Sequence, residues 1–169
     1  NSKIFGFEED KNRIPGIDFF LKDNQNLSIG SLMFKTIFIP GHTKGHIAFY
    51  FKDEKVIFTG DTLFSLGCGR IFEGTYRDMF NSLEKLKQLP GITRVYCGHE
   101  YTYNNSLFCL EYDRENLDLK NKIFKIKDNL KNNKPTIPTT IKDELACNIF
   151  LRAKTLEEFS KLRDLKDNF

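Results

Sequence analysis

Three side chains that can bind metal ions each follow an apolar segment and a glycine-containing turn in this 169-residue chain. His42 follows a Pro-Gly turn, Asp61 lies in FTGDTLF and His99 lies in YCGHEY. Loops at strand ends, held by a rigid sheet, commonly carry catalytic groups. Imidazole nitrogen and carboxylate oxygen are also ligands of catalytic zinc, which keeps a coordination position open for water. The pattern therefore indicates a candidate metal centre.

Each of these residues also has an ordinary structural explanation. Asp61 follows Gly60, and an aspartate in such a turn commonly bonds nearby backbone amides. His99 alone is typical of a surface loop, and His46 opens the apolar segment HIAFYF as a packed, hydrogen-bonded histidine would. Because spacing along the chain does not establish that side chains meet, both interpretations stay open.

The residues before about 104 predict strands joined by tight turns. Two apolar runs surround Gly30-Ser31, and segments 46–51 and 55–60 flank a charged turn, so each pair predicts a hairpin. The continuous apolar character of the second pair predicts strands buried on both faces.

A capping box at Thr75 and Asp78 predicts a helix that ends before Pro90-Gly91, and its apolar stripe is Phe80, Leu83 and Leu86. Segment 93–97 then predicts a further strand.

The later residues have helical periodicity around an extended stretch, KPTIPTT at 134–140. One predicted helix carries the stripe Leu119, Ile123, Ile126 and Leu130. Another begins with a predicted capping box of Thr155 and Glu158 and carries Leu156, Phe159 and Leu162. We predict two domains, 1–103 and 104–169, of which the second is helical.

Composition argues against several classes of function. The net charge is +3 with acids and bases interleaved, which does not indicate nucleic-acid binding, and no apolar run reaches the length of a membrane span. The four cysteines form no C-x-x-C pair, so we expect free thiols in a reducing compartment, the cytoplasm or an organelle matrix.

Four motifs occur in the order of one enzyme family: PGHTKGH, FTGDTLF, GCGRIFEGT and VYCGHEYT. With KPTIPTT, CNIFLR and RDLKDNF they resemble the glyoxalase II family, the hydroxyacylglutathione hydrolases. The resemblance implies an α+β fold, the C-terminal portion of a metallo-β-lactamase-like αββα sandwich followed by a small α-helical, glutathione-binding domain. It implies hydrolysis of S-lactoylglutathione to lactate and glutathione, a step of methylglyoxal detoxification.

The same resemblance implies two divalent metal ions, zinc or alternatively iron or manganese, which supply the attacking hydroxide. It makes His42 a ligand of one ion, His99 a ligand of the other and Asp61 the catalytic carboxylate that bridges them. His46 would support the site without binding metal.

A glutathione thioester site is implied by further positions of the family. The resemblance assigns to it Arg70, Phe72, His99, Glu100, Tyr101, Arg163 and Lys166. The last two would hold a glycine carboxylate, since their spacing of three puts them on one helix face. The ordinary alternative for that pair is a solvated helix end.

One family motif, T-H-x-H-x-D-H, occurs nowhere in the sequence. We expect it upstream of Asn1, and we expect these 169 residues alone to be inactive, to bind metal weakly or not at all, and to dimerise through an exposed sheet edge.

Three alternatives stay open at this point. They are a persulfide dioxygenase-like iron enzyme, a nuclease of the same superfamily, and a metal-free module that binds glutathione or a partner protein.

Overall fold

Six strands form one mixed sheet in the computed structural model. The structure describes residues 2–169, and Asn1, the first residue of the predicted first domain, lies outside the described residues. Two small sheets pair β1 with β2 and β7 with β8, and the large sheet has the order β10-β9-β6-β5-β4-β3. The strands are β1 Phe5–Phe7, β2 Phe19–Leu21, β3 Asn26–Ile29, β4 Leu32–Phe38, β5 Ile47–Phe51, β6 Val56–Gly60, β7 Leu63–Phe64, β8 Gly67–Cys68, β9 Arg94–Cys97 and β10 Thr139–Thr140.

Both predicted hairpins are confirmed. Ile29 pairs with Leu32 across the two-residue turn Gly30-Ser31, where Gly30 has a φ of 60°. β5 and β6 are antiparallel, as predicted, whereas β6 and β9 are parallel. β10 comes from the predicted helical half, yet it extends the sheet by pairing with β9.

The prediction that β5 and β6 are buried on both faces is wrong. Ala48 and Tyr50 are buried, whereas Phe49 and Phe51 are half-buried and Phe58 is 45% exposed. The apolar run is continuous because this second face is aromatic. Its rings contact each other across the strands, as Phe51 and Phe58 do with centroids 5.8 Å apart.

Residues 2–169 contain six α-helices, which pack against the large sheet or against one another. They are α1 Tyr76–Lys87, α2 Thr102–Tyr112, α3 Leu117–Lys131, α4 Ile141–Cys147, α5 Ile149–Arg152 and α6 Leu156–Asp167. Sheet residues Ala48, Ile57 and Val95 belong to the same buried core as Leu83 of α1 and Phe159 of α6. Within the described residues, no helix combines the length and apolarity needed to cross a membrane.

The helix predictions are confirmed with three corrections. The capping box of Thr75 and Asp78 is present, but at α6 the Glu158 carboxylate accepts from Lys154 N instead of the Thr155 amide. Leu130 is 43% exposed and does not join the buried stripe of α3. Leu156 and Leu162 are only half-buried: they pack against the core from the margin of the α6 surface, whereas Phe159 lies within the core.

All four cysteines are free thiols, as the sequence predicts. Burial raises the pKa of each thiol, to about 11 for Cys68 and Cys147 and to about 12 for Cys109, so thiolate is scarce at neutral pH. Burial also raises the pKa of Cys97, but that residue is only partly buried.

We therefore expect iodoacetamide at pH 8 to alkylate Cys97 well before the other three thiols of the folded protein. Peptide mass spectrometry over a time course would measure the four rates. A urea-unfolded sample is the control, in which the four rates should become similar; similar rates in the folded protein would contradict the burial described above.

Candidate metal centre and substrate cleft

Strand direction brings the three metal-binding side chains to one edge of the sheet. β4 and β6 are both antiparallel to β5, and β6 is parallel to β9, so these three strands run in the same direction. His42 follows β4, Asp61 follows β6 and His99 follows β9. Because the strands end at a common edge, side chains that are up to 57 positions apart in sequence meet there.

Asp61 lies between the two histidines. Its Oδ2 is 3.5 Å from His42 Nε2 and also 3.5 Å from His99 Nε2. Both separations exceed the usual N–H···O hydrogen bond of about 2.7–3.2 Å. The other carboxylate oxygen, Oδ1, is buried without a hydrogen-bond partner. An acceptor buried in this way is costly unless a cation or donor completes it.

The ring of His42 is oriented by the backbone. Its Nδ1 lies 2.9 Å from the carbonyl oxygen of Arg70, and since a carbonyl only accepts, Nδ1 carries the proton. The other ring nitrogen, Nε2, therefore faces Asp61. A metal-binding histidine characteristically has its other nitrogen held in this way.

His46 lies behind Asp61 and contacts its backbone instead of its carboxylate. The Asp61 amide donates to His46 Nε2 at 3.1 Å, and His46 Nδ1 is 3.3 Å from Thr43 Oγ1. Burial lowers the pKa of His46, which keeps the ring neutral and Nε2 able to accept. Gly60 allows this approach, since a Cβ there would lie within 3.0 Å of His46 Nε2.

The donor set fits divalent metal ions in type and in spacing. Two atoms bonded to a tetrahedral zinc at about 2.1 Å lie about 3.4 Å apart, which matches each separation between Asp61 and a histidine. Across residues 2–169, however, no group of three or more His, Cys, Asp or Glu side chains is arranged to hold one ion by itself. The cluster of His42, Asp61 and His99 instead places each histidine nitrogen at the same distance from one carboxylate oxygen.

A cleft with a volume of about 730 Å³ joins this cluster to the helical half. Its walls include five further residues that the sequence singled out: Arg70, Phe72, Tyr101, Arg163 and Lys166. Phe72 packs on the ring of His42 with centroids 4.9 Å apart, and Tyr101 stacks on His99 at the same distance. The structure thus places aromatic side chains beside both histidines.

The two basic residues of α6 differ in their surroundings. Arg163 is only 3% exposed; its Nη1 donates to the Cys68 carbonyl at 2.8 Å and its Nη2 to Asp167 Oδ1 at 2.8 Å. The solvated-face alternative is therefore wrong for Arg163. Lys166 extends over the rings of Phe108 and Phe169, and burial lowers the pKa of its ammonium. Arg70 Nε lies 3.4 Å from the same Asp167.

Glu100 is the predicted substrate-binding residue that does not line the cleft. Its carboxylate accepts hydrogen bonds from the backbone amide and, at 2.8 Å, from the hydroxyl of Thr136. It therefore ties the extended segment after α3 to the loop that carries His99.

Some residues of the cleft were missed from the sequence. Phe64 packs edge-on against Tyr101 with centroids 5.4 Å apart, and Asn104 and Asn105 of α2 also line the walls. A helical spacing of three to four from Tyr101 could have indicated the two asparagines. Phe64 carried no such signal, because an aromatic residue in a strand normally belongs to the core.

Comparison with known proteins gives two family matches that together cover residues 4–169. A family described as the metallo-beta-lactamase superfamily matches residues 4–99, and one described as hydroxyacylglutathione hydrolase C-terminus matches residues 100–169.

Individual relatives agree with these matches. A hydroxyacylglutathione hydrolase of Pelagibacter ubique (strain HTCC1062) is 58% identical over 168 residues, covering 99% of this chain and 70% of the relative. A protein of the same name from Prochlorococcus marinus (strain MIT 9301) is 48% identical, covering 99% of this chain and 68% of the relative. The crystal structure of ETHE1 from Myxococcus xanthus has a TM-score of 0.68 at 23% identity, covering 96% of this chain and 57% of that one, which shows a shared fold.

Proposed function

The chain belongs to the hydroxyacylglutathione hydrolases of the metallo-beta-lactamase superfamily, and from this premise we propose that its cleft hydrolyses S-2-hydroxyacylglutathione thioesters such as S-lactoylglutathione. The products are the hydroxy acid, here lactate, and free glutathione. The observation that carries the proposal is the meeting of His42 and His99 on one oxygen of Asp61, inside a cleft that basic side chains of α6 also line.

Divalent metal binding is implied by the family. The arrangement of His42, Asp61 and His99 favours two ions over one. In this proposal His42 would hold one ion, His99 would hold the other and Asp61 would contribute to both. The nitrogen and carboxylate donors suit zinc, and they also accept iron or manganese. When bound, the metal pair lowers the pKa of water and neutralises charge that develops on the substrate carbonyl.

The protein's own contribution is orientation. The Arg70 carbonyl directs the lone pair of His42, and His46 holds the backbone of Asp61. The leaving group is a thiol with an ordinary pKa of about 8.5, so it departs as thiolate with little help from a general acid.

Glutathione recognition is assigned to the helical half, 104–169, together with Arg70, Phe72 and Tyr101. Lys166 has its ammonium beside the cleft, so it is the group placed to bind a glycine carboxylate. Arg163 lies deeper and supplies positive charge while it fixes the Cys68 carbonyl.

The direct test is hydrolysis of S-lactoylglutathione by the purified full-length protein with added zinc, followed through release of free thiol. Metal-dependent release is expected. Binding of the thioester without release would support the metal-free binding module instead.

Lys166→Ala should raise the KM for the glutathione thioester by at least about tenfold and leave kcat within about twofold, since a hydrogen bond to a charged group contributes about 1.5–3 kcal/mol. Steady-state kinetics of the full-length protein would measure both constants. Lys161→Ala on the exposed side of α6 is the matched control, because it removes the same charge away from the cleft. An unchanged KM in the Lys166 variant would contradict its role in binding the carboxylate.

We also propose that β3, one of the two outer strands of the large sheet, mediates dimerisation. Within residues 2–169 no strand pairs with its outer edge, so that edge offers backbone groups for pairing, and Ile29 at its end is exposed.

A further inference from the structure

Glu144 of α4 is a fully buried carboxylate that contacts four other parts of the chain. Its Oε1 accepts from Lys122 Nζ at 2.9 Å and from Thr139 Oγ1 at 2.6 Å. Its Oε2 accepts from the backbone amide of Leu66 at 2.7 Å and from Asn148 Nδ2 at 2.9 Å. All four partners donate, which is the pattern that an ionised carboxylate satisfies.

The contact with Leu66 fixes the tight turn between β7 and β8. Leu66 is buried with a φ of 61°, a left-handed conformation that a leucine rarely adopts without support from its surroundings. The helical half provides this support. Besides Glu144, Asn105 Nδ2 donates to the Ser65 carbonyl and Asn148 Nδ2 donates to the Gly67 carbonyl, both at 3.1 Å.

Residues 65–70, which we call the strap, include this turn and lead directly to the candidate metal centre. The strap ends at Arg70, whose carbonyl accepts the proton of His42 Nδ1 and whose side chain lines the cleft. The amide of Gly69 donates to the Thr62 carbonyl at 3.2 Å, so the strap also lies along the loop that carries Asp61.

We propose that Glu144 is a positioning residue for the metal centre, acting through the strap. Its carboxylate holds the Leu66 amide, the strap places the Arg70 carbonyl, and that carbonyl orients the His42 ring. Metal affinity then depends on a buried charge in the helical half. The inference rests on the proposed function, because it takes His42 as a metal ligand.

The test is Glu144→Gln in the full-length protein. Glutamine keeps the size of the side chain, but its amide replaces one acceptor oxygen with a donor that faces other donors. We expect the dissociation constant for zinc, measured by chelator competition, to rise about tenfold, the lower end of the range for outer partners of metal ligands. We also expect faster deuterium exchange at the Leu66 and Gly69 amides of the metal-free protein.

Both measurements are made at a temperature where circular dichroism shows the variant to be as folded as the wild type. Asp143→Asn is the matched control: this neighbouring carboxylate is 53% exposed and lies 3.9 Å from the same Lys122 ammonium. The Asp143→Asn protein should keep the zinc affinity of the wild type and its rates of deuterium exchange at the Leu66 and Gly69 amides. If Glu144→Gln does not fold, Thr139→Val takes its place in the test, since it removes only one of the four hydrogen bonds to Glu144. This variant should also raise the dissociation constant for zinc.

The outcomes separate the inference from the function on which it rests. A folded Glu144→Gln protein with wild-type zinc affinity would overturn the positioning role, even if it were less stable. A wild-type protein that binds no divalent metal would overturn the proposed function itself.

Discussion

We expect Asp61→Ala to lower kcat/KM for S-lactoylglutathione by more than about a hundredfold, because removing even an outer partner of a metal ligand costs about 10–100-fold in affinity or activity. Among residues 2–169, Asp61 is the one carboxylate that lies within 3.5 Å of both His42 and His99. Alanine offers neither the charge nor the oxygen that two cations would share. Both metal positions should therefore be lost together.

The metal-free form of this variant should unfold at or slightly above the wild-type temperature. Asp61 Oδ1 is buried without a partner, so removing the carboxylate also removes an unsatisfied acceptor. Zinc should raise the unfolding temperature of the wild type and leave that of Asp61→Ala unchanged, since only a ligand that binds the native state stabilises it.

Differential scanning calorimetry with and without zinc, alongside the turnover assay, would measure both effects. Asp53→Ala, in the exposed turn between β5 and β6, is the matched control and should behave as wild type. Full zinc occupancy and near-normal turnover in Asp61→Ala would refute the shared-ligand role.

The parts of the fold that local chemistry determines could be predicted. The hairpin at Gly30-Ser31 depends on one glycine in a two-residue turn, and the start of α1 depends on Thr75 and Asp78, so neighbouring residues suffice. The burial of individual side chains was less predictable from the sequence. The aromatic face of β5 and β6 has the composition of a core strand, and only the packing of the sheet distinguishes its two sides.

The candidate site was predictable where a residue stands at a strand end, as His42, Asp61 and His99 do. Residues whose role depends on distant partners were less predictable. Arg163 has the sequence context of a solvated helix end, yet its guanidinium is buried against the Cys68 carbonyl, 95 positions away. Glu144 lies in KDELACN, where nothing local distinguishes a buried carboxylate from an exposed one.

The second large effect is expected from Gly98→Ala, which leaves every candidate ligand in place. A Cβ at this position would lie within 3.0 Å of Asp61 Oδ1 and 3.5 Å from the Gly60 carbonyl carbon. The backbone cannot retreat easily, because the Gly98 amide donates to the Gly60 carbonyl at 2.9 Å. The carboxylate should therefore move away from the histidines, and since a misplacement of about 1 Å can cost about a hundredfold, zinc affinity and kcat should fall by about that factor.

Chelator competition and turnover of the full-length variant would measure this effect. Gly91→Ala is the matched control: Gly91 lies before β9, at the opposite end of the strand from Gly98, and the nearest atoms to its Cβ would be those of Lys142, at 3.3 Å or more. Because Gly98 has no side chain of its own to bind metal, a loss confined to Gly98→Ala would show that the position of the Asp61 carboxylate, and not merely its presence, determines metal binding. Wild-type zinc affinity in Gly98→Ala would instead mean that the carboxylate binds metal from a different position than the one described here.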